Sequence, residues 1–243
     1  MKRKLIMKEK ILPRKTKILS IIIPVYNEEK TILKLLKEVF ASKISLKKEI
    51  ICVDDGSSDN TVNVLKRVHG IKLVIHKKNQ GKGAAIRTGI KKATGGIILI
   101  QDADLEYDPN DYSSLIKPIL DGKTDVVYGS RRLMQDNKQH SGFSYFIGGV
   151  GLTIIANALY NINITDEPTC YKVFKSQVLK NINLKCSRFE FCPEVTAKIA
   201  KKKISIYEVP IHYYPRSAHE GKKIKWNDGF EAVWTLIKYR FVD

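Results

Sequence analysis

The sequence predicts an α/β fold built around a mostly parallel sheet. Short apolar runs alternate with segments of helical period through the first half of the 243-residue chain. The runs are apolar at nearly every position, as in strands buried on both faces, and polar clusters follow the points where they end. Strands joined by crossover helices run parallel in one sheet, and a chain of this length can bury one sizeable core.

Six strands and six helices are predicted along the chain. The first strand, ILSIIIP, begins at Ile18, and the last reaches Tyr213. The strands are expected at 18–24, 49–53, 71–75, 96–101, 125–129 and 204–213. The helices are expected at 28–40, from Ser58 or Asp59 to Val68, at 83–93, from Asp108-Pro109 onward, at 189–200 and at 230–239.

The segment 141–165 contains no charged residue and has three interpretations that the sequence leaves open. Apolar residues fall on one helical stripe, but Gly, Asn, Ser and Thr interrupt them. A helix in the core, a helix at a membrane surface or lining a lipid channel, and a membrane span all remain. The stripe consists of Phe143, Phe146, Ile147, Val150 and Ile154.

The composition predicts an anionic partner. The formal net charge is +18 and the residues 1–17 form a strongly basic extension. Nucleic acid, a phosphorylated substrate and an anionic membrane surface all fit this charge. The four cysteines, which lack any CxxC spacing, indicate free thiols in a reducing compartment. No nucleic-acid-binding motif is present, so we expect no nucleic-acid partner.

Paired carboxylates follow the fourth strand. Asp102 and Asp104, spaced i and i+2 where a strand becomes a loop, can turn toward one point. Hard cations such as Mg²⁺ or Mn²⁺ take oxygen ligands and share them with substrate phosphates. The pair therefore predicts a divalent-cation site, which Glu106 could extend. The alternative to a metal site is that these residues form a turn and cap the helix that begins at Asp108-Pro109.

Polar clusters at the other strand ends predict a nucleotide site. Asp54 ends the second strand, where an acidic residue can accept hydrogen bonds from a base or ribose. The segment 24–28 offers an aromatic face and polar groups. The Gly-rich turn 79–85, which leads into a helix, resembles a phosphate cradle. Because GxxxxGK[ST] and GxGxxG are both absent, a P-loop NTPase and a Rossmann dehydrogenase are disfavoured.

These segments, in this order from Ser20 to Arg131, resemble family 2 of the inverting glycosyltransferases, which has the GT-A nucleotide-sugar fold. The matching motifs are SIIIPVYNE, VDDGSSD, NQGKGAA, QDADLE and VVYGSRR. Downstream, YEVPI at 207–211 and the spacing from Arg216 to Lys222 resemble the dolichyl-phosphate mannose synthase branch. The segment DEPTCYK at 166–172 departs from that branch and leaves the sugar and the acceptor open.

The resemblance implies a role for each matching residue. It implies that Asp104, Arg131, Arg216 and Lys222 act in catalysis, with the last three holding phosphates. The implied metal ligands are Asp102, Asp104 and Glu106. The implied nucleotide-sugar contacts are Pro24, Tyr26, Glu28, Cys52, Asp54, Asp102, Ala103, Asp104, Arg131, Arg216 and Lys222.

The resemblance also implies a reaction and its partners. A hexose, mannose ahead of glucose, would pass with inversion from GDP-mannose or UDP-glucose to a polyprenyl or dolichyl phosphate. The protein would be peripheral on the cytoplasmic face of a membrane, held there alone or by a membrane subunit. Residues 18–225 would form the catalytic domain, with a nucleotide-sugar half at 18–131 and an acceptor half at 132–225, and 226–243 an amphipathic helix.

A second reaction in the same family would use a hydroxyl acceptor in surface polysaccharide or glycolipid assembly. A hydroxyl must lose a proton, so it needs a positioned base, for which Glu190 and Glu194 are the candidates. A phosphate acceptor is already ionised and needs positioning by cations. Lys172, Arg216 and Lys222 suit that task.

Overall fold

The computed structural model describes residues 17–135, 137, 143–216 and 226–242. Within them, seven strands form one sheet in the order β3-β2-β1-β4-β6-β5-β7. The strands are β1 Ile18–Val25, β2 Lys47–Asp54, β3 Ile71–Ile75, β4 Ile97–Ile100, β5 Val126–Ser130, β6 Lys172–Lys175 and β7 Ile206–Pro210. The helices are α1 Ile32–Ala41, α2 Thr61–Lys66, α3 Lys82–Lys92, α4 Tyr112–Leu120, α5 Phe143–Tyr160, α6 Ser176–Lys180, α7 Phe191–Lys201 and α8 Trp226–Phe241.

The sheet is mostly parallel, as predicted. β1 lies between β2 and β4, parallel to both, and β3 and β7 also pair in parallel with their neighbours. The exception is β6, which runs antiparallel between β4 and β5. The sequence analysis missed β6 because it has only four residues, with a lysine at each end. It also missed α6, which follows β6 directly.

Both faces of the sheet are covered, which explains the unbroken apolar runs. Along β1, Ile21 and Ile23 face the layer that contains α1 and α4. Ile22, between them, faces the layer that contains α3 and α7. Because successive side chains of a strand point to opposite faces, both layers need apolar residues from the same strand. All three isoleucines are fully buried.

The helices α1, α2 and α4 begin later than predicted because turns precede them. α1 begins at Ile32, since the carbonyl of Glu28 accepts hydrogen bonds from the amides of Thr31 and Ile32 in a turn. α2 begins at Thr61, whose amide donates to the Asp59 carboxylate at 3.0 Å. Asp108 likewise precedes a 3-10 turn at Pro109–Asp111, after which α4 starts.

The uncharged segment forms a helix that is only partly buried. α5 packs on α7 and α8 through Ala156 and Tyr160, while Ile147 and Ile154 are exposed. Among the residues that the structure describes, no helix has both the length and the apolar content to cross a membrane.

The helix α8 has two apolar faces rather than the single one predicted. One face is buried on α5 and α7 and includes Leu236 and Tyr239. The opposite face presents an exposed apolar stripe with the spacing i, i+4, i+7, i+11. The stripe is Phe230, Trp234, Ile237 and Phe241, which are 75%, 63%, 37% and 79% exposed.

Candidate active site

A cleft of about 1270 Å³ lies where the predicted polar clusters meet, at the carboxyl ends of the parallel strands. It continues from there between α5 and the start of α8. Most of the predicted site residues line it, namely Pro24, Tyr26, Glu28, Asp102, Ala103, Asp104, Glu106, Arg131 and Arg216. Cys52 and Asp54 are not among the residues lining it, and Lys222 lies outside the described residues.

The loops after β1 and β2 are tied together by side-chain hydrogen bonds. The amide of Asn27 donates to Ser57 Oγ, and the amide of Ser58 donates to Asn27 Oδ1 at 2.8 Å. Asn27 has φ of 49°, a left-handed conformation that asparagine tolerates better than most residues. These hydrogen bonds position Tyr26 and Glu28 at the edge of the cleft.

Asp54 and Cys52 lie behind the cleft wall. Asp54 is fully buried, and its Oδ2 accepts hydrogen bonds from the amides of Gly56 and Ser57. Its Oδ1 is buried without a hydrogen-bond partner. Cys52 is also fully buried, and burial raises the pKa of its thiol to about 12. Their predicted contact with a nucleoside therefore has no open surface in this conformation.

Four backbone amides of the Gly-rich turn, which resembles a phosphate cradle in sequence, have hydrogen-bond partners inside the protein. The amides of Gln80 and Gly81 donate to the Asp55 carboxylate at 3.0 and 2.7 Å. The amides of Gly83 and Ala84 donate to carbonyls of residues 187–188. These four amides at the start of α3 are therefore already used inside the protein. Gly81 is required there, because its φ is 96° and a Cβ would lie 2.4 Å from the Ser187 carbonyl oxygen.

The same turn supplies a cation that sequence analysis missed. Lys82 Nζ lies 2.6 Å from Asp102 Oδ1 and donates to Cys170 Sγ at 3.1 Å. Burial opposes the charge of Lys82, but the Asp102 carboxylate raises its pKa well above the usual value. The glycines on either side of Lys82 were the available signal, since they let its backbone lie against residues 187–188.

The aspartates carry more negative charge than Lys82 neutralises. Burial, and next the charges of Asp102 and Glu106, raise the pKa of Asp104 to about 7. A buried cluster of carboxylate oxygens with unrelieved repulsion suits a divalent cation. Asp102 and Asp104 supply two oxygen donors of the kind that Mg²⁺ or Mn²⁺ takes, and substrate phosphates and water would have to provide the remaining ligands. Within the described ranges, no three His, Cys, Asp or Glu side chains form a metal-holding group.

Glu106, predicted as a third metal ligand, is engaged elsewhere. Its carboxylate accepts hydrogen bonds from the amide of Arg216 at 2.9 Å and from the hydroxyl of Tyr213 at 3.2 Å. The guanidinium of Arg216 in turn donates to the carbonyl of Asp104 and to Glu28 Oε2. The hydrogen bonds to Glu106 thus fix the chain that follows β7. Arg216 connects Glu28, which follows β1, to Asp104, which follows β4.

Arg131 is held at the cleft by a buried carboxylate. Its Nε and Nη2 each donate to Asp166 at 2.7 Å in a two-pronged pair, and the ring of Tyr213 lies 5.0 Å away. Burial of Asp166 would raise its pKa, but the charge of Arg131 lowers this pKa below its usual value. In the sequence, Asp166 stands out only as a departure from the family pattern, because Arg131, its partner, is 35 positions away.

Three further candidates do not face the cleft. The Glu190 carboxylate accepts from the amides of Ser187 and Arg188. Glu194 is fully buried, with both oxygens engaged by two amides and by Lys198. Neither glutamate lines the cleft, so the predicted bases are caps for local backbone. Lys172, predicted to hold phosphate, is also fully buried, with Nζ 3.6 Å from the Tyr128 ring centroid.

Comparison with known proteins identifies the family that this site belongs to. Residues 20–182 match the sequence model described as glycosyl transferase family 2. The chain belongs to glycosyltransferase family 2. The match includes most of β1, the strands β2 to β6, the aspartate pair and Arg131, so the predicted resemblance is confirmed.

Relatives in the family match over almost the whole chain. A UDP-N-acetylglucosamine–dolichyl-phosphate N-acetylglucosaminyltransferase from Methanococcus voltae is 31% identical, over 91% of this chain and 95% of its own. A dolichyl-phosphate beta-glucosyltransferase from Trichomonas vaginalis is 32% identical, over 90% and 72%. A dolichol-phosphate mannosyltransferase from Pyrococcus furiosus is 28% identical, over 90% and 64%. The chain therefore resembles the polyprenyl-phosphate branch of the family.

Solved structures confirm the GT-A fold of this family 2 glycosyltransferase. Glucosyl-3-phosphoglycerate synthase from Mycobacterium tuberculosis, in complex with Mn²⁺, UDP and glucosyl-3-phosphoglycerate, aligns with a TM-score of 0.72. The alignment covers 93% of this chain and 81% of that one at 17% identity. A structural similarity at 17% identity supports the fold alone. The chemistry of the site is therefore inferred from the residues of this chain.

Proposed function

We propose that this family 2 glycosyltransferase moves a hexosyl residue, with inversion, from a nucleotide diphosphate sugar to a polyprenyl or dolichyl phosphate. The observation that carries the proposal is the meeting of opposite charges in one cleft. Buried Asp102 pairs with Lys82, the half-buried Asp104 lies two residues further on, and Arg131 and Arg216 line the same space. Such an arrangement suits a ligand with a diphosphate and a second phosphate.

The residues of the cleft have separate roles in the proposed reaction. Pro24, Tyr26 and Glu28 border the nucleoside end of the cleft. Asp102 and Asp104 would hold the divalent cation, which when bound stabilises negative charge on the leaving diphosphate. Arg216 positions the Asp104 backbone and Glu28 together, and Arg131 presents a fixed guanidinium to a phosphate oxygen. Residues 18–131 would serve the donor and 132–225 the acceptor.

The two bases that the sequence offers, Glu190 and Glu194, do not line the cleft, which favours a phosphate acceptor over a hydroxyl. Glu190 and Glu194, the sequence candidates, are committed to backbone amides and to Lys198. A phosphate oxygen attacks the anomeric carbon without first losing a proton at neutral pH. The names of the relatives point the same way, because all three act on dolichyl or dolichol phosphate.

The sugar is the finer part of the proposal. The resemblance favoured mannose, followed by glucose. The relatives above are named as transferases of N-acetylglucosamine, glucose and mannose, and the name of the first gives UDP as its donor nucleotide. UDP-N-acetylglucosamine and UDP-glucose are therefore tested together with GDP-mannose.

We also propose that the protein works at the cytoplasmic face of a membrane, where its lipid acceptor lies. The exposed apolar stripe of α8 supports this placement, with Lys238 and Arg240 flanking it. Apolar side chains beside cations suit the boundary between anionic head groups and acyl chains. Binding of the protein alone to lipid vesicles tests whether the contact needs a membrane subunit.

A transfer assay tests the reaction. Purified full-length protein is given labelled donors with Mn²⁺ and either polyprenyl phosphate, the corresponding polyprenol, or soluble glycans. We expect lipid-linked product from polyprenyl phosphate alone, loss of product in EDTA, and a loss of at least about 100-fold with Asp104→Asn, whose carboxylate charge is removed. Product from the glycans alone would contradict the lipid phosphate as acceptor, and full turnover in EDTA would contradict the metal.

A further inference from the structure

The ammonium of Lys82 occupies one of the two carboxylates proposed to hold the cation. Lys82 Nζ lies 2.6 Å from Asp102 Oδ1, in the range of a charge-assisted hydrogen bond. The side chains of Lys82 and Asp102 are only 21% and 10% exposed, so water and salt screen the pair weakly. A positive charge this close repels a second cation at the same carboxylate. Asp102 is therefore not free to bind a metal while Lys82 stays in place.

The backbone of Lys82 is fixed on both sides. The amide of Gly81 donates to the Asp55 carboxylate at 2.7 Å, and the amide of Gly83 donates to the carbonyl of Arg188 at 2.9 Å. A Cβ on Gly83 would lie 2.9 Å from that same carbonyl oxygen, so the two segments are in direct contact. A change of partner by Lys82 therefore involves its flexible side chain and not the backbone.

The other contacts of the ammonium are weak. Nζ donates to Cys170 Sγ at 3.1 Å, and sulfur is a weak acceptor. The centroid of the Phe189 ring lies 6.0 Å from Nζ, at the outer limit of a cation–π contact. Within the described ranges, Asp102 is the only carboxylate with which Lys82 forms an ion pair. Because an unpaired charge is costly in a buried place, Lys82 would need another anion if it lost Asp102.

The two arginines of the cleft have partners of a different kind. Arg131 donates twice to Asp166, which is not among the residues lining the cleft. Arg216 donates to Glu28 and to a backbone carbonyl. Of these three cations, Lys82 alone forms an ion pair with a side chain proposed to hold the metal. An exchange of partners between the empty and the occupied cleft therefore concerns Lys82.

We propose that Lys82 is an exchangeable counter-ion, which holds the Asp102 carboxylate in the empty cleft and moves to the diphosphate of the donor when the donor enters. Lys82 thereby makes binding of the cation depend on binding of the donor. This inference rests on the proposed function, since it takes the ligand to be a nucleotide diphosphate sugar.

The balance of formal charges favours joint binding of cation and donor. Asp102, Asp104 and Lys82 together leave one negative charge. A divalent cation alone would turn this into one positive charge in a buried place, which is unfavourable. A sugar diphosphate, with two negative charges, restores one negative charge, and its oxygens give the ammonium a new partner. By thermodynamic linkage, cation and donor then raise the affinity for each other by the same factor.

Binding of Mn²⁺ and of nucleotide to the full chain tests the exchange without sugar transfer. Electron paramagnetic resonance measures free Mn²⁺ during a titration, first without nucleotide and then with saturating UDP or GDP. The proteins are the native chain, Lys82→Met, Lys82→Gln and Lys91→Met. Methionine and glutamine both remove the charge, and Lys82→Gln covers the case in which Lys82→Met fails to fold. Lys91, exposed on the same helix α3, is the matched control.

The charge of Lys82 should affect the two titrations differently. Without nucleotide, we expect both Lys82 variants to bind Mn²⁺ roughly tenfold more tightly than the native protein, since Asp102 is released from a charged hydrogen bond. The gain in Mn²⁺ affinity on adding nucleotide should be roughly tenfold smaller in these variants than in the native protein. Lys91→Met should behave like the native protein in both titrations.

The possible outcomes distinguish this inference from the proposed function. Equal Mn²⁺ affinity of the native protein and both Lys82 variants without nucleotide would overturn the counter-ion, even where nucleotide and Mn²⁺ still bind jointly and the proposed function stands. Tighter Mn²⁺ binding with an unchanged gain from nucleotide would overturn the move of Lys82 to the diphosphate. An equal effect in Lys91→Met would show that net charge, and not the contact with Asp102, controls Mn²⁺ affinity. If none of the proteins binds UDP or GDP, with or without Mn²⁺, the proposed function fails and this inference fails with it.

Discussion

Single residues in the cleft are positioned by partners that are distant in the sequence. Lys82 contacts Asp102, Arg131 pairs with Asp166, and the Arg216 guanidinium reaches Glu28 and the Asp104 backbone. The sequence allowed prediction of Asp102, Asp104, Arg131 and Arg216 because each belongs to a motif of short spacing. It did not predict the pairing, because contacts across 20 to 188 positions depend on how the strands are ordered in the sheet.

The same dependence on distant contacts explains why the predicted roles of two residues have no support in the structure. Glu194 and Lys172 stand in polar contexts that suggest a solvent-facing role, yet both are fully buried. Glu194 has backbone amides and Lys198 as partners, and Lys172 has the Glu167 carbonyl. A buried charge with partners is indistinguishable in sequence from an exposed one, because burial is decided by neighbouring elements.

Arg216 gives a prediction at this scale. Its planar guanidinium donates to Glu28 and to the Asp104 carbonyl at once, which a lysine ammonium cannot reproduce with the same geometry. We expect Arg216→Met to lower kcat/KM for sugar transfer by roughly 10- to 100-fold, the value of a hydrogen bond to a charged group, and Arg216→Lys to recover only part. Steady-state transfer kinetics measure both.

The control for Arg216 is an exposed arginine. Arg67→Met, beyond the end of α2, should leave kcat/KM unchanged. Equal losses in Arg216→Met and Arg67→Met would show that charge in general, rather than the position of Arg216, controls the rate.

At the scale of elements, the long periodic segments were predictable and the short connecting ones were not. β3 was predicted residue for residue, and β1 and β5 within a residue or two. β6 was missed, since an antiparallel strand inserted into a parallel sheet leaves no crossover helix as a signal. β7 ends at Pro210, earlier than predicted, because Tyr213 pairs instead with Tyr107 at the cleft.

The carboxylate of Glu49 on β2 ties several elements together, which gives a prediction for stability. It accepts hydrogen bonds from Ser20 on β1, Lys72 on β3 and Thr94 before β4. Burial opposes its charge, but these bonds lower its pKa from 4.5 to about 2. A depressed pKa in the folded state adds stability above pH 4.5, which is lost as the pH falls toward 2.

We therefore expect Glu49→Gln to reduce the free energy of unfolding by about 1 kcal/mol at pH 7, discounted for the exposure of Lys72. The difference from the native protein should shrink between pH 4.5 and 2. Urea unfolding at several pH values measures it. Glu231→Gln, exposed on α8, is the control and should show no such pH dependence. A constant difference at all pH values would contradict the role of the Glu49 charge.

The exposed stripe of α8 gives a prediction about membranes. Its members stack on one side of the helix, opposite the side packed on α5 and α7. We expect the native protein to bind vesicles that contain anionic lipid, with affinity falling as salt rises. Trp234→Ser should weaken binding at least about tenfold, the effect of losing a buried aromatic side chain in the interface.

Leu33→Ser provides the matched control for the stripe, because Leu33 is a 45% exposed residue on α1, which has no such stripe. It should bind vesicles like the native protein. Vesicle flotation measures all three proteins at equal lipid. If Leu33→Ser and Trp234→Ser are equally affected, the contact is not made by the stripe, and if the native protein fails to float, a separate membrane subunit becomes the better account.

For the whole molecule, the net charge of +18 coexists with a cleft that has acidic residues on its floor. A protein that bound nucleic acid through this charge would need its cations along one open surface. Here Lys82, Arg131 and Arg216 are turned into the cleft and paired with carboxylates. That placement suits a small ligand carrying phosphates.

Ligand binding to the folded protein gives the prediction at this scale. A nucleotide sugar with Mn²⁺ binds only the native state, and at 100 times its Kd it should add about 2.7 kcal/mol, or roughly 5 to 10 °C in Tm for a chain of this size. A thermal-shift series with UDP-N-acetylglucosamine, UDP-glucose and GDP-mannose, each with Mn²⁺ or EDTA, measures it. We expect one donor to raise Tm most and EDTA to remove most of the rise. In Asp104→Asn the rise should be small with every donor, since the charge that favours the cation is reduced. If duplex DNA raised Tm more than any nucleotide sugar, and EDTA did not change this rise, the ligand would bind at the basic surface rather than in the cleft.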